Sequence, residues 1–234
     1  MSARVVDVDE AARHLGVDPS RVRALITSGG LSADKVGGRW LVNWESVLAR
    51  ERAQTAPGRP LTARNAWALL LLASGDQITA QIEPNARWRL RQTMTHHHLA
   101  DLAARLERRA RVHYLWAIPG ELSRLRDSGR MALTGSSAAG ELNLGLLSPD
   151  TVDAYVPAGR LDALVRDHAL EPVSTSEANV ILRGVPDEAW LLDGRRVAPR
   201  AAVGLDLATY PDARSARVGA QLLAALDAES RADR

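Results

Sequence analysis

Apolar positions between residues 7 and 53 fall into short runs with clear punctuation. Val8, Ala11, Ala12 and Leu15 recur at helical spacing behind Asp7, with Glu10 three residues on, the order of a capping box. Gly16-Val17 breaks that stripe. Asp18 then stands where an N-cap belongs, with Pro19 at the first helical position, where a missing N–H costs nothing. Val22, Leu25 and Ile26 form the predicted buried face of this second helix, and Gly29-Gly30 ends it. Two short extended runs, 34–36 and 39–42, flank Gly37-Gly38, a pair that supplies the positive φ of a tight hairpin turn. Asn43 is placed to cap a third helix over 44–53. TAPGRPLT, which follows, has the composition of a linker.

The rest of the chain is mixed. Residues 61–73 predict a buried helix capped by Thr62. The stretch 84–111 predicts one long arginine-rich helix with Met94, Leu99, Leu102, Leu106 and Ala110 inward. Val112, Tyr114, Trp116 and Ile118 alternate, so 111–118 predicts a strand, and 119–127 a short helix starting at Pro119. MALTG, VDAYV, NVILRGV and EAWLL read as strands, SSAAGEL as a helix start and PAGRLDALVRDHAL as a helix. From Arg200 onward helical segments are broken at Pro211, with Asp212 capping the last. The longest near-continuous apolar run, 66–73, is far too short to span a membrane. The expected division is a unit over 1–54, a linker over 55–61, a basic and mainly helical segment over 62–130, and an acidic α/β part over 131–234.

Composition and charge add to this picture. The chain has 234 residues and no cysteine, which removes disulfides, thiolate zinc sites and cysteine nucleophiles together. The N-terminus acquires acidic residues at once and has no hydrophobic signal core, so a cytoplasmic protein is expected. The net charge of +2 hides an uneven distribution: residues 1–130 carry +7 and residues 131–234 carry −5. That split suggests a polyanionic partner for the front and another task for the back. Of 30 basic residues all but Lys35 are arginine, the side chain best suited to phosphates and guanine edges. A strong arginine and alanine bias also arises from a GC-rich genome.

The order helix, turn, helix, two-stranded wing, helix is carried by the string VDEAARHLGVDPSRVRALITSGGLSADKVGGRWLVNWESVLAR. It resembles the winged helix-turn-helix of the excisionase and MerR-like DNA-binding families in its EAA…LGV start, its S-x-V-R-x-L-I recognition helix, its VGGRW wing and its closing capped helix. It departs from them at 31–34, where a proline often precedes the first wing strand. Residues 61–230 resemble the AbiEi-type antitoxins and transcription regulators of actinobacteria, through LTGSSAAGELNL, DAYVPAGRLDALV and APRAAVGLDLATYPDARSARVGAQLLAAL. The resemblance implies an α+β fold, a small winged helix-turn-helix domain followed by a larger mixed α/β domain. It implies an autorepressing antitoxin acting on operator DNA, with a nucleotidyltransferase-like toxin as partner. A homodimer on DNA and no membrane are expected besides; the alternatives are a nucleotidyltransferase-like enzyme with a DNA-binding arm and an excisionase-like architectural DNA-binding protein.

With Val22, Leu25 and Ile26 inward, the second helix exposes Ser20, Arg21, Arg23, Ala24 and Thr27, which makes them the expected groove contacts. Lys35 and Arg39 flank the wing tip, Gly37 and Gly38, where an arginine can enter a minor groove. Arg87, Arg89, Arg91, Arg105, Arg108, Arg109 and Arg111 fit either a second nucleic-acid contact or the solvated face of a helix. His96-His97-His98 cannot converge on one metal ion, because adjacent helical residues lie about 100° apart; capping or packing is expected. Gly135-Ser136 followed by Asp150 and Asp153 is similar to a nucleotidyltransferase pattern. That chemistry needs Asp-x-Asp so that both carboxylates share magnesium, whereas Asp-Thr-Val-Asp puts them on opposite faces of a strand. No catalytic residue, cofactor or metal is therefore expected, and Asp150 is assigned to an SPDT turn. Asp206, Asp212 and Arg214 are open either to a partner protein or, for Asp212, to helix capping.

Overall fold

The computed structural model describes residues 4–54, 59–78, 82–146 and 150–232. Residues 4–54 close on a core of their own, in which Ala11, Val22, Val42 and Val47 are fully buried. Its elements are β1 (Val5–Val6), α1 (Val8–Leu15), α2 (Pro19–Thr27), β2 (Ala33–Val36), β3 (Arg39–Asn43) and α3 (Trp44–Gln54). β3 is central and pairs antiparallel with both β1 and β2. Asp7 accepts the Glu10 N–H at 2.7 Å, half of the expected capping box. In place of the reciprocal bond, the Glu10 carboxylate pairs with Arg4 at 2.9 Å. Asp18 holds the N-cap position of α2 without making a side-chain cap bond. Asn43 does cap α3, accepting the N–H groups of Glu45 and Ser46 at 2.9 and 3.3 Å. β1 escaped the pattern because two residues carry no periodicity; the Trp44 N–H, bonded to the Arg4 carbonyl at 2.9 Å, holds the chain beside it. Most of the expected linker, 55–58, lies outside the described residues.

A second core runs without a break from Ala66 to Leu226. It is built on a five-stranded sheet in the order β5-β6-β8-β4-β7. The strands are β4 (Arg111–Trp116), β5 (Ala132–Leu133), β6 (Val152–Pro157), β7 (Glu171–Pro172) and β8 (Val180–Val185). β6 and β8 are parallel and joined through α7 (Ala158–Asp167); the other pairs are antiparallel. All six residues of β6 are buried, as expected for a central strand covered on both faces. One face is covered by α4 (Ala63–Ala73) and α8 (Arg200–Ala208), with α9 (Ala213–Ala232) packed on α8. Trp67 of α4 meets the Tyr155 ring edge-on at 4.6 Å. α7 lies over β6 and β8 on the other face, and α6 (Pro119–Asp127) packs on β6.

Several expectations are corrected here. The helix predicted over 84–111 is broken: α5 (Pro84–His96) stops, His97 turns extended, and a 3-10 helix spans Ala100–Arg109. The cause is tertiary. The Asp227 carboxylate on α9 accepts the Leu99 N–H at 3.2 Å and faces His98 at 3.1 Å. β4 ends two residues earlier than the alternation suggests, because the Asn179 side chain takes both the N–H and the carbonyl of Ala117, at 2.8 and 2.7 Å. EAWLL is no strand; Asp187–Ala189 forms a 3-10 turn, and Ala189 and Leu192 are buried without ladder partners. The division at 130/131 does not divide the packing either. β4 pairs with β8 along five residues, and α4 packs on α8, so 62–130 and 131–232 share one sheet and one core.

Candidate nucleic-acid interface

The second helix owes its exposure to its wheel. Val22 and Leu25 are buried and Ile26 half-buried, so the opposite side carries Ser20, Ala24 and Thr27 at i, i+4 and i+7. Arg23 and Arg21 stand on either flank of that stripe, and all five side chains are exposed. The stripe itself is narrow. Serine, alanine and threonine let the helix backbone come close to a groove floor while the flanking guanidinium groups reach outward. The Thr27 hydroxyl donates to the Arg23 carbonyl at 3.0 Å.

The wing places the other expected residues. Gly37 and Gly38 have φ of 56° and 81°, the two left-handed residues that a type I′ hairpin turn requires. Lys35, Gly37, Gly38 and Arg39 are exposed at its tip, with the Lys35 ammonium 5.7 Å from the centre of the Trp40 ring. Val36, which sequence reasoning passed over, is also at the tip and 59% exposed, so it joins the candidate residues. Among the described residues Arg21, Arg23 and Arg39 have no hydrogen-bonded or ionic side-chain partner. The structure thus leaves all nine expected contact positions open to solvent, on one helix and one hairpin of the same small unit.

Residues 5–54 match the family of the helix-turn-helix domain. The N-terminal unit is a helix-turn-helix domain, the framework of a DNA-binding regulator. No curated protein and no solved structure matches the chain. Among the described residues no helix is long and apolar enough to cross a membrane.

The second constellation singled out by sequence takes a different form. Asp150 lies in a turn before β6, while Ser148 and Pro149 of the SPDT motif are outside the described residues. Asp153, on β6, is buried, and both of its oxygens are engaged. Arg183 of β8 grips it through Nε and Nη2, each at 2.8 Å, and the Tyr210 hydroxyl donates to it at 2.6 Å. Asp206 of α8 is fully buried beside them. It accepts from Arg109 at 2.7 Å and from the Thr134 hydroxyl at 2.6 Å, and lies 3.2 Å from Arg183. Arg109 also donates to the Tyr155 hydroxyl at 2.9 Å. Two arginines and two aspartates therefore form a neutral, hydrogen-bonded quartet inside the second core.

This quartet overturns two expectations. Arg109 belongs to no solvated or nucleic-acid face, and Asp206 cannot touch a partner. Burial alone would raise the Asp206 carboxyl, but Arg183 and Arg109 hold it below its ordinary value. Burial, then the Asp153 charge, pushes the Tyr210 phenol well up, so it keeps its proton and donates it. Above Asp153 a cavity of about 430 Å³ is lined by Ser136, Thr151, Tyr210, Asp212 and Arg214 among others. A side chain on Gly135, at φ 51°, would collide there with the Tyr210 hydroxyl and the Asp153 carboxylate. Asp212 caps α9, accepting the Ser215 N–H at 2.7 Å, while exposed Arg214 donates to the Gly145 carbonyl at 2.9 Å. No group of three or more histidines and carboxylates among the described residues could hold a metal ion.

Proposed function

We propose that this protein is a sequence-specific transcriptional repressor, the antitoxin of a toxin–antitoxin operon that represses its own promoter as a homodimer. The observation that carries the DNA-binding part is the outward stripe of α2, flanked by Arg23 and Arg21, which are exposed and unpaired among the described residues, and accompanied by a glycine-tipped wing. Arg23 reads a base edge, Arg21 and Arg39 hold phosphates, and Lys35 adds charge beside the wing. The antitoxin part is supported by the resemblance of residues 61–230 to the AbiEi type. A large second domain with its own core gives the chain more than an excisionase-like architectural protein needs.

The protein is read as no enzyme. A nucleotidyltransferase would need Asp153 free to share magnesium, and here Arg183 and Tyr210 occupy both of its oxygens. The test of the whole reading is selection of duplexes from a random library by the full chain, then titration of the selected and a scrambled duplex. Arg23→Ala should lose about tenfold or more on the selected duplex and little on the scrambled one. Equal loss on both would remove base reading from α2. Incubation with labelled nucleotides and RNA or protein acceptors should give no transfer; label that vanishes in Asp153→Ala would restore the enzyme.

A further inference from the structure

The broken arginine-rich stretch leaves one helix whose outer face has no explanation in the fold. α5 buries Leu90 and half-buries Met94 and Arg87, whose Nη2 donates to the Ile78 carbonyl at 3.3 Å. Its opposite face presents Asn85, Trp88, Arg91 and Thr95 at i, i+3, i+6 and i+10, with Arg89 alongside, all exposed. Trp88 is the most exposed large apolar side chain among the described residues, at 63%. Burying an indole is among the largest apolar gains a chain can make, and tryptophan and arginine together are the side chains most enriched at interfaces.

The charge pattern selects the partner. Residues 84–96 contain three arginines and no acid. Arg91 has no side-chain partner among the described residues, and Arg89 reaches only the Asn85 carbonyl of its own helix, at 3.2 Å. Several arginines elsewhere in this domain are matched with carboxylates, as in Arg130–Asp167 at 2.6 Å and Arg200–Glu229 at 2.8 Å, and α5 has no carboxylate of its own to do the same. A protein partner of ordinary composition gives no reason to keep an acid-free helix; a phosphate backbone does.

We propose that the Trp88–Arg89–Arg91 face of α5 is a second DNA-binding surface, gripping duplex phosphates outside the sequence read by α2. Arg89 and Arg91 supply the charge, the Asn85 amide supplies a donor, and the Trp88 ring packs against the sugar edge of the backbone. The inference rests on the DNA-binding reading above. It makes the second domain part of the affinity and not of the specificity.

The test uses the full chain on the selected and scrambled duplexes at several salt concentrations. Variants are Trp88→Ala, the double change Arg89→Ala with Arg91→Ala, and Arg23→Ala as comparator. The double variant should weaken both duplexes alike, by roughly tenfold, and make the log–log salt slope shallower by about two. Trp88→Ala should also lose affinity equally on both, and wild-type Trp fluorescence should change on DNA addition by more than that of Trp88→Ala. Thermal melts should be unchanged, since these side chains are exposed. If Arg23→Ala loses specificity while the α5 variants keep wild-type affinity and slope, the α5 surface is overturned and the recognition helix stands. If the wild type binds no duplex, both fall.

Discussion

Arginine does opposite work in the two regions of this molecule. In residues 4–54, Arg21, Arg23 and Arg39 are exposed and unpaired among the described residues, held outward by a helix and a hairpin whose other faces are buried. In the second domain, Arg109 and Arg183 are enclosed and saturated by Asp206, Asp153, Tyr155 and the Leu106 carbonyl. The first set has charge to offer a partner; the second has none left. The same contrast dissolves the charge split along the chain. Residues 61–130 carry +5 and 131–234 carry −5, but they fold together, and Arg109–Asp206, Arg130–Asp167 and His98–Asp227 join the two halves. A positive stretch of sequence is not a positive surface.

The sharpest way to break the comparison is to remove a buried arginine. Arg183→Ala leaves Asp153 enclosed with no counter-charge and should cost the second domain about 3–5 kcal/mol, read by urea unfolding. Arg183→Met with Asp153→Leu should cost less than the single change, because no charge is then stranded. A single change within about 1 kcal/mol of wild type would mean that water reaches the quartet.

Next in size is the response to pH. The Asp206 carboxyl is held below its ordinary 3.8, so the unfolded chain takes that proton first. Stability from this group is full above about pH 4 and falls as the pH drops below it. Tyr114, Tyr155 and Tyr210 are shifted up from 10, with burial the largest cause in each. The unfolded tyrosines ionise first, so stability is full below pH 10 and falls as the pH rises past it. All three tyrosines of the chain lie in this domain. Tyrosinate absorbance should therefore appear together with loss of the fold, in one transition above pH 10. A smooth titration centred at 10 with the fold intact would contradict the enclosed quartet.

The small unit should answer to backbone changes. Gly38→Val forces a β-branched residue to φ 81° and should cost about 1–2 kcal/mol of wing stability, with weaker DNA binding and no change in the second domain's melt. Smallest in stability, Arg23→Ala should leave the melt within about 0.5 kcal/mol of wild type while removing sequence preference. A substantial loss of stability there would show that Arg23 holds the fold and does not face DNA.

Residues 7–53 were legible because their structure is local. Asp7, Gly16, Pro19, Gly37-Gly38 and Asn43 each act within a few residues of where they stand, and the apolar stripes between them point to one small core. Once that core is placed, the exposed face of α2 follows from helical geometry alone. In the second domain the sequence also carried a signal that went unused. VDAYV, VILRGV and AAVGLDLA are apolar runs each interrupted by one charge, and two opposite charges of that kind can bury only by meeting. Asp153, Arg183 and Asp206 do meet, with Arg109 as the fourth member.

What sequence by itself determined is therefore the helix-turn-helix unit, the mixed character of the remainder and most element positions. What only the tertiary structure decided is which charges are surface. The break at His97, imposed by Asp227 across 128 residues between Leu99 and that aspartate, turned a single arginine-rich helix into two pieces. One piece carries Arg109 into the core and the other leaves Trp88 and Arg91 outside. Periodicity within a segment cannot foresee that outcome, because the energy of a buried charge depends on a partner supplied from elsewhere in the chain.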